Sequence, residues 1–213
     1  MNAFDTHRGI AVAFLTHNID TDAIIPSREM KRVSKEGLGE GLFANWRYAA
    51  PDDRTPRADF ALNQAPTNEA SILLSGRNFG CGSSREHAVW ALAEFGFRAI
   101  IAESFGAIFQ KNCIANGILT AEVDTDGIAG LAQWCADDPA QHQLHIDLRA
   151  RVISGPTGKN VRFNIAESDA RKLLSGLDPI TETLADVERI DRFEADHLRR
   201  SPWVDLSTDD AGT

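Results

Sequence analysis

Two hydrophobic periods alternate along the chain. The short apolar runs Ser71-Ile72-Leu73-Leu74 and Ala99-Ile100-Ile101-Ala102 read as strands buried on both faces, the pattern of a parallel sheet. Between them Ala88, Leu92 and Phe95 recur at helical spacing and predict a helix over 84–95 that begins near Ser83. Strand, helix and strand form a βαβ unit. A second helix over 105–116 stops at Asn116-Gly117, a good C-terminal signal, and is followed by a strand over 118–120 and a helix over 124–137. Upstream, Ile10 to Leu15 reads as an opening strand that runs into the polar loop His17-Asn18-Ile19-Asp20-Thr21-Asp22 and then Ala23-Ile24-Ile25-Pro26, through which Pro26 forbids a helix. Leu144, Ile146 and Leu148 alternate with polar residues, as do Val161, Phe163 and Ile165, predicting an antiparallel pair. Leu184, Val187, Ile190 and Phe193 place an apolar stripe on a final helix over 181–199, expected to pack.

These elements make an α/β fold with βαβ units and antiparallel additions. Residues 28–41, which mix charge with Gly37, Gly39 and Gly41, are expected to be mobile after one helical turn. Residues 45–68, rich in proline, form an irregular excursion whose Trp46, Phe60 and Leu62 still need burial. A length of 213 residues suits one core, so residues 1–206 are expected to form a single domain and 207–213 a disordered tail.

A net charge of −9 argues against a broad nucleic-acid surface. No stretch approaches a membrane span and the first residues lack a signal-peptide pattern, so a cytoplasmic protein is expected. The cysteines, Cys81, Cys113 and Cys135, are far apart, without a Cys-x-x-Cys pair or the spacing of a zinc or iron–sulfur site, so no metal is expected on this chain. Cys113 and Cys135 read as buried small hydrophobes. Cys81 differs in lying in a glycine-rich loop.

That loop, Gly80-Cys81-Gly82-Ser83-Ser84-Arg85-Glu86-His87, hangs two hydroxyls and a guanidinium on a flexible strand-to-helix turn. A carboxylate or developing oxyanion is stabilised by free N–H groups at a helix start, and arginine adds a bidentate fork. A competing reading is local: Ser83-x-x-Glu86 has the form of a capping box, in which Ser83 does no more than satisfy an amide. Asp22 has a similar competitor, since Asp20-Thr21-Asp22 can close a turn on its own backbone. His87 reads as a structural residue at the helix start and His17 as a loop residue.

Taken together, Asn18-Ile19-Asp20-Thr21-Asp22-Ala23-Ile24-Ile25-Pro26 and Asn78-Phe79-Gly80-Cys81-Gly82-Ser83-Ser84-Arg85-Glu86-His87 resemble the small subunits of 3-isopropylmalate dehydratase, the detached swivelling domain of the aconitase superfamily. Leu42-Phe43-Ala44-Asn45-Trp46-Arg47 and Ala102-Glu103-Ser104-Phe105 share the resemblance. It implies an aconitase-like swivelling β/β/α domain and a large subunit as partner, on which a [4Fe–4S] cluster is expected. The implied reaction is a hydro-lyase isomerisation of 2-isopropylmalate to 3-isopropylmalate in leucine biosynthesis, by loss and re-addition of water. By that resemblance Ser83 is the general base, Ser84 and Arg85 bind a carboxylate of the small dicarboxylate substrate, and Asp22 pairs with a histidine of the cluster-bearing part.

Lys31, Arg32 and Lys35 precede the Gly-rich loop tied to substrate choice in that family, but Lys35-Glu36-Gly37-Leu38-Gly39 departs from the common pattern and leaves their role open. Two other readings stand beside this one. A related hydratase acting on citraconate, dimethylmaleate or homoaconitate keeps the chemistry and changes the acid. A non-catalytic module could cradle an anion on residues 76–87, although the loop lacks the lysine of a phosphate-binding P-loop.

Overall fold

The computed structural model describes residues 2–30, 36–155, 160–177, 179–184 and 186–204. Lys31, Arg32, Lys35 and the expected tail 207–213 lie outside the described residues. The chain divides into two compact units, Met1–Gly176 and Leu177–Thr213, a division that the expected single domain 1–206 runs across.

In chain order the first unit runs β1 (Thr6–Gly9), β2 (Ala11–Phe14), α1 (Thr21–Ile24), α2 (Ala44–Arg47), β3 (Tyr48–Ala50), β4 (Asp53–Pro56), β5 (Ile72–Ser75) and α3 (Glu86–Phe95). It continues through β6 (Ala99–Ala102), α4 (Ala107–Ala115), β7 (Leu119–Glu122), α5 (Thr125–Asp137), β8 (Leu144–Asp147), β9 (Val152–Ser154), β10 (Asn160–Arg162) and α6 (Glu167–Ser175). Among the described residues the strands form a parallel sheet β2-β5-β6-β7, an antiparallel sheet β1-β8-β9-β10 and the hairpin β3-β4. The expected α/β class holds.

The two apolar faces of the parallel strands explain how the layers stack. Ile72, Leu74, Ala99 and Ile101 enter one core with Leu144, Ile146 and Ile153 of the antiparallel sheet and Ile128 and Leu131 of α5. Leu73, Ile100 and Ala102 point the other way, into a core with Val89 and Leu92 of α3, Cys113 of α4, and Ile24, Leu42 and Phe43. Alternating side chains of one strand thus pack the antiparallel sheet, with α5 and α6, against one face and α3 and α4 against the other, a β/β/α arrangement.

Register then fixes where the loops emerge. Phe14 pairs with Ser75, Ser75 with Ala102, and Ala102 with Glu122, so the carboxyl ends of the four parallel strands stop level. The segments 15–20, 76–85, 103–106 and 123–124 all leave from this one edge, the usual place for a site in a parallel α/β sheet.

Several expectations are corrected. The helix expected from Ser83 begins at Glu86, and its N-cap is Arg85, which makes no side-chain capping bond. The capping box is not formed, and Glu86 instead accepts from the Asn116 side chain at 3.1 Å. The strands expected to pair around Leu144 and Val161 do not pair directly, because β9 lies between them; β9 is too short to show a period. β1 is polar and largely exposed, so it carries no hydrophobic signal, yet it pairs along β8. In the segment expected to be mobile, Ser27–Met30 forms the anticipated turn, but the Glu94 carboxylate accepts from the Gly37 and Gly39 N–H groups at 2.6 and 2.8 Å and anchors its described end.

The second unit holds α7 (Pro179–Leu184) and α8 (Val187–Arg200) in place of one continuous helix. Leu184, Val187, Ile190 and Phe193 are exposed, and Phe193 stacks on His197 at 5.7 Å between ring centroids.

His7 on β1 touches the Ser71 hydroxyl at 2.8 Å. Burial, with a smaller push from Arg98, holds its imidazole below the ordinary value of 6.5, so the folded chain prefers it neutral. Above pH 6.5 both folded and unfolded chains carry it neutral; as pH falls, the unfolded chain protonates first and stability is lost down to the folded pKa. The melting midpoint, followed by circular dichroism from about pH 7 to about pH 5, is expected to fall more steeply for the wild type than for His7→Gln.

Candidate active site

Two loops on the carboxyl edge of the parallel sheet extend its pairing beyond the strands. The Asn18 N–H donates to the Arg77 carbonyl at 2.9 Å, the Gly80 N–H to the Ile19 carbonyl at 2.8 Å, and the Thr21 N–H to the Cys81 carbonyl at 3.0 Å. On the other side of the second loop, the Phe79 N–H donates to the Ser104 carbonyl at 3.0 Å and the Gly106 N–H to the Phe79 carbonyl at 2.9 Å. Ser104 also accepts the Asn78 N–H on its hydroxyl at 2.8 Å. The loop carrying the two serines is therefore held from both flanks by main chain.

Glycine permits this approach. Gly80 has φ +72 and Gly82 φ +90, and a Cβ on Gly80 would overlap the Phe109 ring. Phe109 packs edge-on against the buried Phe79 at 5.4 Å between centroids, so the ring has little room to yield.

The structure brings the expected site residues together. Asp20, not Asp22, closes the local turn: it caps α1 by accepting from the Ala23 N–H at 2.7 Å. Asp22 is thereby released outward and forms an ion pair with Arg85. Arg85 can reach it because its own backbone is extended rather than helical. Ser83 and Ser84 lie exposed beside this pair. Neither of the local readings of Ser83 and Asp22 accounts for their placement.

Energetics favour an exchangeable Arg85. The Asp22 side chain is 56% exposed, and ion pairs of that kind contribute only about 0.2–1 kcal/mol. A substrate carboxylate could displace Asp22 at small cost. His17 accepts the Arg77 N–H at 3.0 Å, and His87 packs against the Trp90 ring at 4.9 Å.

Thr21 escaped the sequence reading. It is 1% exposed, and its hydroxyl donates to the Ser83 carbonyl at 3.2 Å and lies 3.4 Å from the Ser83 hydroxyl. No local sequence pattern marks it, because the contact runs between two loops.

The described donors do not fit a metal cluster. Among the described residues no three His, Cys, Asp or Glu side chains converge. Burial pushes the Cys113 thiol well up and the Cys135 thiol up to about 12, which disfavours the thiolates a cluster needs. A separate cleft of about 470 Å³ at the end of β2, lined by Phe14, Leu15, Trp46, Arg57 and Phe60 among others, shares no lining residue with the serine loop. Ser83 thus sits on an open face rather than in that cleft.

Comparison with known proteins gives a consistent answer. Residues 1–126 match the family model of the aconitase C-terminal domain, and residues 180–207 match that of the C-terminal domain of the 3-isopropylmalate dehydratase small subunit. The 3-isopropylmalate dehydratase small subunit of Cupriavidus necator is 55% identical over 96% of this chain and 98% of its own length. That of Azorhizobium caulinodans is 44% identical over 96% of this chain and 100% of its own. A crystal structure of 3-isopropylmalate dehydratase (leuD) from Methanocaldococcus jannaschii superposes with a TM-score of 0.64 at 26% identity, covering 89% of this chain and 99% of that one.

Replacing Gly80 by alanine tests the close approach on which the loop depends. Urea unfolding of Gly80→Ala is expected to show a loss of about 2–4 kcal/mol, from strain at positive φ and overlap with Phe109.

Proposed function

The chain belongs to the family of 3-isopropylmalate dehydratase small subunits, and on that premise we propose that its exposed serine loop is one half of an active site completed by a large subunit. It is a hydro-lyase subunit of leucine biosynthesis. The observation that carries the site is the convergence of Ser83, Asp22 and Arg85 on one open face.

In this reading Ser83 takes the proton next to a substrate carboxylate, while Ser84 and Arg85 hold that carboxylate. Asp22 holds Arg85 in the free chain and turns to a histidine of the large subunit in the complex. A [4Fe–4S] cluster, carried by the large subunit, supplies Lewis-acid polarisation of the leaving hydroxyl. The substrate is 2-isopropylmalate, isomerised to 3-isopropylmalate, and the setting is cytoplasmic.

Magnitudes explain why two chains are needed. Ionising an alcohol, which is about as weak an acid as water, costs on the order of 10 kcal/mol at neutral pH. A helix terminus offsets only about 0.3–2 kcal/mol, and here α3 starts beyond Ser83. The remainder calls for further positive charge and exclusion of water, both of which arise when the open face is covered.

Ser83→Ala, reconstituted with the large subunit, is expected to lose turnover by about 10²–10⁴-fold while its affinity for the large subunit stays unchanged. Retention of turnover, measured by appearance of 3-isopropylmalate, would remove Ser83 from the base role. In the same complex, citraconate, dimethylmaleate and homoaconitate are expected to be poorer substrates than 2-isopropylmalate.

A further inference from the structure

Thr21 is placed as though to control the Ser83 hydroxyl. Its backbone is fixed on both sides, the N–H donating to the Cys81 carbonyl and the carbonyl accepting from the Ile25 N–H, each at 3.0 Å. With the residue 1% exposed, the hydroxyl is confined near two oxygens of one residue, the Ser83 carbonyl at 3.2 Å and the Ser83 Oγ at 3.4 Å.

A threonine hydroxyl has a single proton to donate. It therefore goes to whichever of the two oxygens is the stronger acceptor. While Ser83 keeps its proton, the carbonyl accepts; once Ser83 is ionised, the alkoxide accepts, because a hydrogen bond to a charged oxygen is shorter and about twice as strong. Both distances exceed the ~2.7–2.8 Å usual for hydroxyl donors, the slack commonly seen in an unliganded site before substrate tightens it. Little rearrangement is needed, since the two acceptors belong to the same residue.

We propose that Thr21 is a positioning residue that orients the Ser83 hydroxyl and, by transferring its hydrogen bond from the Ser83 carbonyl to Oγ, favours the ionised serine during turnover. This rests on the reading of Ser83 as the base. Asp20 and Asp22 flank Thr21 with different tasks, capping and ion pairing, and neither carboxylate can donate a proton to an alkoxide in its ionised form.

The test uses the reconstituted complex and follows kcat, KM for 2-isopropylmalate and the kcat–pH profile. Valine keeps the β-branched shape of threonine and removes the donor; serine keeps the donor. Thr21→Val is expected to lower kcat about 10–100-fold and to move the acid limb of the profile to higher pH, with KM and subunit affinity within about twofold. Thr21→Ser is expected to return kcat to within about threefold of wild type, and in a Ser83→Ala background Thr21→Val is expected to cost nothing more. Wild-type kcat with an unshifted profile in Thr21→Val would overturn the proposal, as would an equal loss in Thr21→Ser or a loss that follows weakened subunit assembly. If Thr21→Val is silent while Ser83→Ala is inactive, the Thr21 inference alone falls; if Ser83→Ala keeps full turnover, the base assignment falls and takes this inference with it.

Discussion

The main-chain pairing of residues 18–21 with residues 77–81 is the constraint on which the candidate site depends. It joins two loops more than fifty residues apart in sequence by main-chain hydrogen bonds, and it requires Gly80 because a side chain there would meet the Phe109 ring. Once those backbones are paired, the remaining chemistry follows locally. Asp20 turns in and caps α1, Asp22 turns out toward Arg85, and Thr21 between them is carried under Ser83. A single alternation along Asp20-Thr21-Asp22 thus distributes three tasks.

The level carboxyl edge of the parallel sheet brings the two loops within reach of each other, and its doubly buried strands hold that edge rigid. Those strands were also the most legible part of the sequence. β5, β6 and the helices between β5 and β7 announce themselves because continuous apolar runs and helical spacing reflect burial from both sides. β1 does not, because only Gly9 of its four residues is buried, and β9 does not, because it has three residues with one of them buried. At the end of the chain a long apolar stripe suggests one helix, yet the described residues form two, α7 and α8.

At the site, identity was easier to read than geometry. Within this chain Asp22 pairs with Arg85, a contact the family resemblance did not imply, and composition could not tell a capping serine from an exposed one. What decided the matter was the start of α3 at Glu86, a shift of a few residues that frees Ser83 from the helix and frees Arg85 to reach Asp22. Thr21 stayed hidden because its importance lies in a contact across the two loops, and local sequence records nothing of such a contact.

An exposed serine opposite a weak ion pair is a poor catalyst in water and a reasonable one under a lid, which is why the account assigns this chain half of a reaction centre. Titrating the chain against its cluster-loaded large subunit, while following formation of 3-isopropylmalate, measures this most directly. Turnover is predicted to be absent with the purified chain alone and to rise to saturation as the complex forms. Sustained turnover by this chain in the absence of any large subunit would contradict it.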